Sequence, residues 1–230
     1  MVAVVLGGGA GTRFGAARPK QLLTLDGRTL VEHCVAAFNA APGIDEVLLV
    51  MGPGFTQEAA ALLGDQVSAV IEGGVTRAGS VRNAISHLAA RHEPMTTGVL
   101  FHDAARPLLD QRVIADCVAA LRENDAIGTA VPTPDTIVVV KDGVMHHVPP
   151  RETLMRCQTP QGFRLSVIAL AHEMAAEDPA FVPTDDCGVV LRYLPDVPVH
   201  VVQGSERTMK VTYPADLAVC EILLRSQIVP

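Results

Sequence analysis

Short apolar runs alternate with amphipathic stretches along most of the chain. Residues 2–6, 47–50, 67–71, 98–102, 127–131 and 197–202 are brief runs dominated by aliphatic side chains, the pattern of strands buried on both faces of a parallel sheet. Helical spacing fills the intervals between them. Thr29 is placed to cap a helix through about Asn39, with Leu30, Val31, Cys34, Val35 and Phe38 on one face. Further helices are predicted over 57–63, from the neighbourhood of Arg77 and Ser80, from a cap at Asp110 through Leu121, over 165–176, and from the start formed by Thr184, Asp185 and Asp186. A last helix over 214–226 turns Leu217, Cys220, Leu223 and Leu224 inward to pack the sheet. Strands alternating with helices predict an α/β domain whose mostly parallel, twisted sheet binds ligands at the carboxyl ends of its strands.

One segment breaks the alternation. Between Thr133 and Thr159 the chain reads DTIVVV, then a Lys141-Asp142-Gly143 turn, then VMHHV, which is a two-stranded hairpin pattern. The apolar side of such a projecting hairpin is exposed on a single chain, so it is expected to pack against a second copy.

Bulk properties narrow the class. A chain of 230 residues fills one α/β domain, residues 1–230, and is short for two. With 49% apolar and 19% charged residues it is not a disordered chain, and no apolar run reaches the length of a membrane span. The amino end shows neither the basic region nor the cleavage site of a signal peptide, so a cytoplasmic protein is expected. The net charge of -7, with no run of Lys or Arg, argues against a nucleic-acid partner. Cys34, Cys117, Cys157, Cys187 and Cys220 are scattered, without a Cys-x-x-Cys pair, and read as free thiols. The adjacent His146 and His147 have no thiol partners nearby to make a metal site.

The chemistry concentrates in the loops after the strands. The first, within VAVVLGGGAGTRFGAARPK, sheds its Cβ atoms at Gly7, Gly8, Gly9 and Gly11, which lets backbone approach a phosphate. Arg13 and Lys20 lie in the loop itself, and Pro19 disfavours helix at Arg18. The loop is therefore neither a dinucleotide turn running straight into a helix nor a P-loop with Gly-Lys-Ser/Thr. Its two cations suit a phosphorus centre undergoing substitution; the alternative is a Gly-rich surface loop with solvated charges. In EGGVTRAGSVRNAI, Gly73 and Gly74 end a strand, and Ser80 either meets a nucleotide or supports the helix start. HDAARP follows a strand and sets Asp103 at its end, as a carboxylate ligand for Mg²⁺ on triphosphate oxygens or as half of an ordinary loop ion pair. An NAD-dependent oxidoreductase shares the first strand and glycines, but requires an acidic residue after the second strand, where Val50, Met51 and Gly52 stand.

GGGAGTRF with RPKQL, GGxxRxxSV, HDAARP, QTPQGF at 158–163 and the Thr184-Asp185-Asp186 run together resemble the 2-C-methyl-D-erythritol 4-phosphate cytidylyltransferase family and its close relatives, the ribitol-5-phosphate cytidylyltransferases. The resemblance extends from Val4 to about Leu217. It implies a Rossmann-like, three-layer α/β/α nucleotidyltransferase fold, with CTP and a polyol phosphate as substrates and Mg²⁺ as cofactor. It also implies a homodimer in which the arm over 133–159 completes the neighbouring site. Carried over residue by residue, it makes Arg13, Lys20 and Lys210 catalytic and assigns nucleotide binding to Gly7, Gly8, Gly9, Gly11, Gly74, Ser80 and Ala104. Asp103 becomes the metal ligand, and Arg106, Thr136, Arg151, Thr159, Thr184 and Asp185 face the acceptor substrate. The implied reaction joins 2-C-methyl-D-erythritol 4-phosphate to CTP with loss of pyrophosphate, a step of isoprenoid precursor biosynthesis. Five positions depart from the family pattern: Val75 and Gly79 in the second glycine loop, Val138 in the arm, which is closer to the ribitol enzymes, and Thr208-Met209 in place of Asn-Ile before Lys210.

Overall fold

A computed structural model describes residues 1–8 and 18–226. The chain runs through β1 (Val2–Gly7), a small hairpin of β2 (Thr24–Leu25) and β3 (Arg28–Thr29), α1 (Leu30–Asn39), β4 (Glu46–Met51), α2 (Thr56–Leu63), β5 (Ala69–Glu72), α3 (Arg77–Ala89) and β6 (Gly98–Asp103). It continues through α4 (Gln111–Glu123), β7 (Ala126–Pro132), β8 (Val139–Lys141), β9 (Val144–His147), β10 (Met155–Arg164), α5 (Leu165–Ala176), α6 (Asp186–Tyr193), β11 (His200–Gln203) and α7 (Pro214–Arg225). Local signals explain several boundaries. At α1 the Thr29 side chain accepts from the Glu32 amide while the Glu32 carboxylate accepts from the Thr29 amide, a reciprocal cap that fixes the first turn.

Seven strands form one sheet in the order β11-β7-β10-β6-β1-β4-β5. β1 pairs in parallel with β4 and with β6, β4 with β5, and β7 with β11, whereas β10 is antiparallel to both β6 and β7. The chain leaves β1 toward β4 and β5, then returns to β6 on the other side of β1. The crevice of an open α/β sheet lies where this direction reverses. The register brings Gly7 opposite Met51 and Leu6 opposite Asp103, so the ends of β1, β4 and β6 meet there.

Alternation along β1 defines the layers. Ala3 and Val5 face Val31, Val35, Phe38, Ala59, Val113 and Leu121 of α1, α2 and α4, while Val2, Val4 and Leu6 face Val81, Leu88, Ile168 and Val190 of α3, α5 and α6. With both faces covered, the strands need no polar side, which accounts for their unbroken apolar runs.

Three expectations are corrected. β10 was not anticipated as a strand, and its first residues, Met155 to Thr159, fall inside the segment assigned to the arm; they pair with β7 in the main sheet. The pairing shifts register between Cys157 and Gln161, the interval that holds Pro160, a residue with no amide to give to a ladder. Second, α7 packs against Leu25, Leu30, Leu108 and Val211 rather than the sheet, because six other helices already occupy both sheet faces. Third, β5 and β11 are shorter than their apolar runs. Between Pro132 and Met155 the chain makes an excursion carrying the β8–β9 hairpin, whose Asp142-Gly143 turn has φ of 52° and 78°. Positive φ at both turn positions is the geometry that matches strand twist in a two-residue hairpin.

Candidate active site

Gly8, just past the carboxyl end of β1, packs against the glycine loop that follows β5. A Cβ built on Gly74 lies 2.7 Å from both the Cα and the carbonyl carbon of Gly79, so backbone meets backbone there and a side chain has no room. A Cβ on Gly8 lies 2.6 Å from Ser80 Oγ. Ser80 is buried, its hydroxyl accepting from the Gly74 amide at 3.2 Å and donating to the Thr76 carbonyl at 3.1 Å. Thr76, not Ser80, caps α3, accepting from the Gly79 amide at 3.0 Å. Ser80 thus works as an internal clamp on the Gly73-Gly74 turn, against which Gly8 packs. Gly9, Gly11 and Arg13 lie outside the described residues.

Asp103 is the electrostatic centre. At the end of β6 its Oδ1 accepts from Arg77 Nε at 3.2 Å and its Oδ2 from Lys210 Nζ at 2.6 Å. Burial alone would raise the carboxyl pKa, but the charges of Arg77 and Lys210 outweigh it and hold Asp103 well below the usual carboxylate range. Arg77 reaches a second carboxylate behind the first: its Nη2 is 2.8 Å from Asp186 Oδ2, a close ion pair without hydrogen-bond alignment. Burial works against the Arg77 charge, and Asp186 with Asp103 more than restores it. Asp186 Oδ1 accepts from His172 Nε2 at 3.1 Å. His172, Asp186, Arg77, Asp103 and Lys210 therefore form one chain of contacts from beneath the sheet to its mouth.

A second network fixes the backbone of Asp103. His102 is fully buried, with Nε2 at 3.0 Å from the Arg106 carbonyl and Nδ1 at 3.0 Å from Thr159 Oγ1. A carbonyl only accepts, so Nε2 carries the hydrogen and Nδ1 is the acceptor; the Thr159 hydroxyl must then donate to it. The same hydroxyl accepts from the Asp103 amide at 3.1 Å. Burial pushes the His102 pKa down to about 4, which keeps the ring neutral. Thr159, assigned to the acceptor substrate by resemblance, is thus buried with its hydrogen already committed.

The remaining candidates separate into two groups. Around the crevice, the Ala104 amide donates to Leu6 at 3.0 Å and the Ala105 carbonyl accepts from Val211 at 2.8 Å, which ties the Lys210 loop to HDAARP. Lys20 is buried and donates to the Val211 carbonyl at 2.7 Å, one residue from Lys210. Arg106 donates to the Thr208 carbonyl at 2.8 Å, which gives the Thr208-Met209 departure a backbone role that either sequence supplies. At the base of the arm, exposed Arg151 donates to Thr136 Oγ1 at 2.7 Å, so these two expected phosphate contacts are neighbours. Thr184 is exposed. Asp185 caps α6 through the Gly188 amide at 2.9 Å and accepts from Gln161 Nε2 at 2.8 Å.

Sequence reasoning missed Arg77, Asp186, His172 and Gln161 as a unit. Gln161 Oε1 accepts from the amides of Asp186 and Cys187, at 3.0 and 3.1 Å, and so holds the first turn of α6 against β10. Gln158 similarly exchanges two hydrogen bonds with the backbone of Ser205. The glutamines of QTPQGF are thus structural clamps. A signal existed for His172, which stands directly after the apolar run over 167–171. None existed for the pairing of Asp186 with Arg77, which lie on different helices.

Among the described residues no group of three or more His, Cys, Asp or Glu side chains is arranged to hold a metal ion. Asp103 is one hard oxygen donor whose carboxylate has lone pairs beyond those used by Arg77 and Lys210. That set suits a divalent ion arriving on phosphate oxygens, not a resident ion in a protein cage.

The sequence profile described as IspD, 2-C-methyl-D-erythritol 4-phosphate cytidylyltransferase, matches residues 1–226. A 2-C-methyl-D-erythritol 4-phosphate cytidylyltransferase of Thermobifida fusca is 48% identical over 98% of this chain and 94% of its own length. The crystal structure of the 2-C-methyl-D-erythritol 4-phosphate cytidylyltransferase of Thermus thermophilus superposes with a TM-score of 0.77 at 31% identity, covering 96% of this chain and 98% of that one. A bifunctional ribulose 5-phosphate reductase/CDP-ribitol pyrophosphorylase of Haemophilus influenzae is 34% identical over 98% of this chain, which spans 48% of that protein. With the buried, apolar end of β4 at Val50 and Met51, these relationships set the oxidoreductase reading aside. The chain belongs to the 2-C-methyl-D-erythritol 4-phosphate cytidylyltransferase family.

Proposed function

We propose that the protein transfers the cytidylyl group of CTP to the phosphate of 2-C-methyl-D-erythritol 4-phosphate. A phosphate oxygen of the acceptor attacks the α-phosphorus in line, the bond to the β-phosphate bridging oxygen breaks, and pyrophosphate leaves with that electron pair. A phosphate monoester is already anionic near neutral pH, so the step needs no general base. The observation that carries this reading is Lys210 beside the ionised Asp103 at the mouth of the β1–β6 crevice, with the Lys20 side chain reaching in from the other end of the chain to the carbonyl of Val211, the next residue. The lysines, with Arg13, neutralise charge growing on the phosphates, and the two glycine loops offer backbone amides to the nucleotide. Asp103 would hold a Mg²⁺ ion arriving with the triphosphate, which would supply further charge neutralisation. Arg151 and Thr136 receive the acceptor phosphate by a forked contact, across a homodimer in which the apolar arm packs on a second copy. Free thiols at all five cysteines suit a cytoplasmic setting.

A second reading, transfer to ribitol 5-phosphate, has the support of Val138 in the arm and of the Haemophilus influenzae relative. The test is pyrophosphate release from CTP and Mg²⁺ with each polyol phosphate in parallel. The proposal expects a kcat/KM for methylerythritol phosphate at least about tenfold above that for ribitol phosphate. The reverse order selects the second reading, and release with neither removes both.

A further inference from the structure

The contact chain behind Asp103 serves no obvious folding need. Asp186 and His172 are almost fully buried, and Arg77 lies between two carboxylates. Ion pairs removed from water seldom repay their lost hydration, and apolar side chains of similar volume do the structural work as well. Only one end of the chain reaches the crevice, at Asp103 and Lys210. Every other member acts through what it holds.

We infer that Arg77 is a positioning residue of the transfer reaction, clamped by Asp186 so that its guanidinium fixes which oxygen of Asp103 faces the crevice. Four observations carry this. Arg77 takes Oδ1 while Lys210 takes Oδ2, so the two carboxylate oxygens have separate partners. Arg77 sits in the first turn of α3, whose entry is locked by the Gly74–Gly79 contact and the Thr76 and Ser80 hydrogen bonds, so its origin cannot drift. Its far side is held by Asp186, which is itself held by His172 through its side chain and by Gln161 through its amide. Finally, a planar fork can span two carboxylates with one charge, which a lysine ammonium at the end of a flexible stem does not reproduce. The clamp leaves Oδ2, the oxygen held by Lys210, as the one turned to the crevice.

The inference deepens the proposed cytidylyl transfer, and its test separates the two. In Arg77→Lys, kcat for pyrophosphate release falls about tenfold or more, while KM for CTP and for the acceptor stay within about threefold, because an oriented group is lost and not a ligand contact. Asp186→Asn, which keeps the volume and removes the charge behind Arg77, shifts kcat in the same direction by less. A crystal structure of Arg77→Lys shows the Asp103 carboxylate turned from its contact with Lys210. An unmoved Asp103 overturns the inference whatever reaction the wild type catalyses. So does a kcat within about twofold of wild type, or a loss confined to KM for CTP. Should Arg77→Lys fail to fold, Asp186→Asn carries the same readings. Absence of turnover in the wild type counts against the reaction alone, and the position of Asp103 in the variant structure then decides the role of Arg77.

Discussion

Lys210 donates to Asp103 at 2.6 Å, yet its side chain is 38% exposed, so one charge is half in water and half in an ion pair. Such a lysine is free to exchange a carboxylate for a phosphate without a large rearrangement. Lys210→Ala is expected to lower kcat by about a hundredfold, since charge developing on phosphate oxygens loses a fixed counter-charge. Lys20→Ala is expected to cost turnover more than CTP affinity, and single-turnover assays beside calorimetric CTP binding separate the two. His102 makes a different prediction. Its pKa lies at about 4 in the folded protein against an ordinary 6.5, so between these values the unfolded chain binds a proton that the native one does not. Stability from this group is complete above about pH 6.5 and is lost as pH falls toward 4, by about 3 kcal/mol in all. Urea titrations across that window should show the slope, and His102→Gln should flatten it; an unchanged slope in the variant rules His102 out as its source.

At the scale of elements, the site depends on how α3 and α6 begin. Gly74→Ala drives a Cβ into the Gly79 backbone, and is expected to cost about 1–3 kcal/mol by urea unfolding and to weaken CTP binding, because the start of α3 must move. The helix and parallel-strand pattern was legible because each apolar run is bounded by glycine or a cap, as at Thr29 and Asp110, and each signal is local. β10 was not legible: MRCQTPQGFR has proline and glycine where a central strand rarely tolerates them, and its place is set by β6 and β7 on either side. The same limit applied to the site. Asp103 and Lys210 stood out through their motifs, but Ser80 and Thr159, also in motifs, are turned inside, Ser80 by the nearby Gly74 and Thr76 and Thr159 by His102 and Asp103 far along the chain. Capping fitted Asp185 of the acidic run, whereas Asp186 faces inward to His172 and Arg77, a distinction that requires the helix to be placed.

At the scale of the whole molecule, the arm carries the apolar surface that a single chain leaves uncovered. Val139, Val140, Val144, Met145 and Val148 are all exposed on the hairpin and its exit, an apolar surface expected to be covered by a second copy. Val140→Glu with Met145→Glu is expected to convert a dimer into a monomer in sedimentation equilibrium, with acceptor KM rising more than CTP KM. A wild-type monomer at micromolar concentration would remove the arm's proposed role. Where the arm leaves and rejoins the sheet has a broader consequence. Pro132 and Met155, its two anchor points, are ladder partners of adjacent strands, so the excursion begins and ends at almost one place. A loop closed at its own base can lengthen, shorten or change sequence without transmitting tension to the crevice. Evolution could therefore remodel the arm, and with it the acceptor contacts proposed for Thr136 and Arg151, as though exchanging an attachment, while the strands that frame the crevice stay as they were.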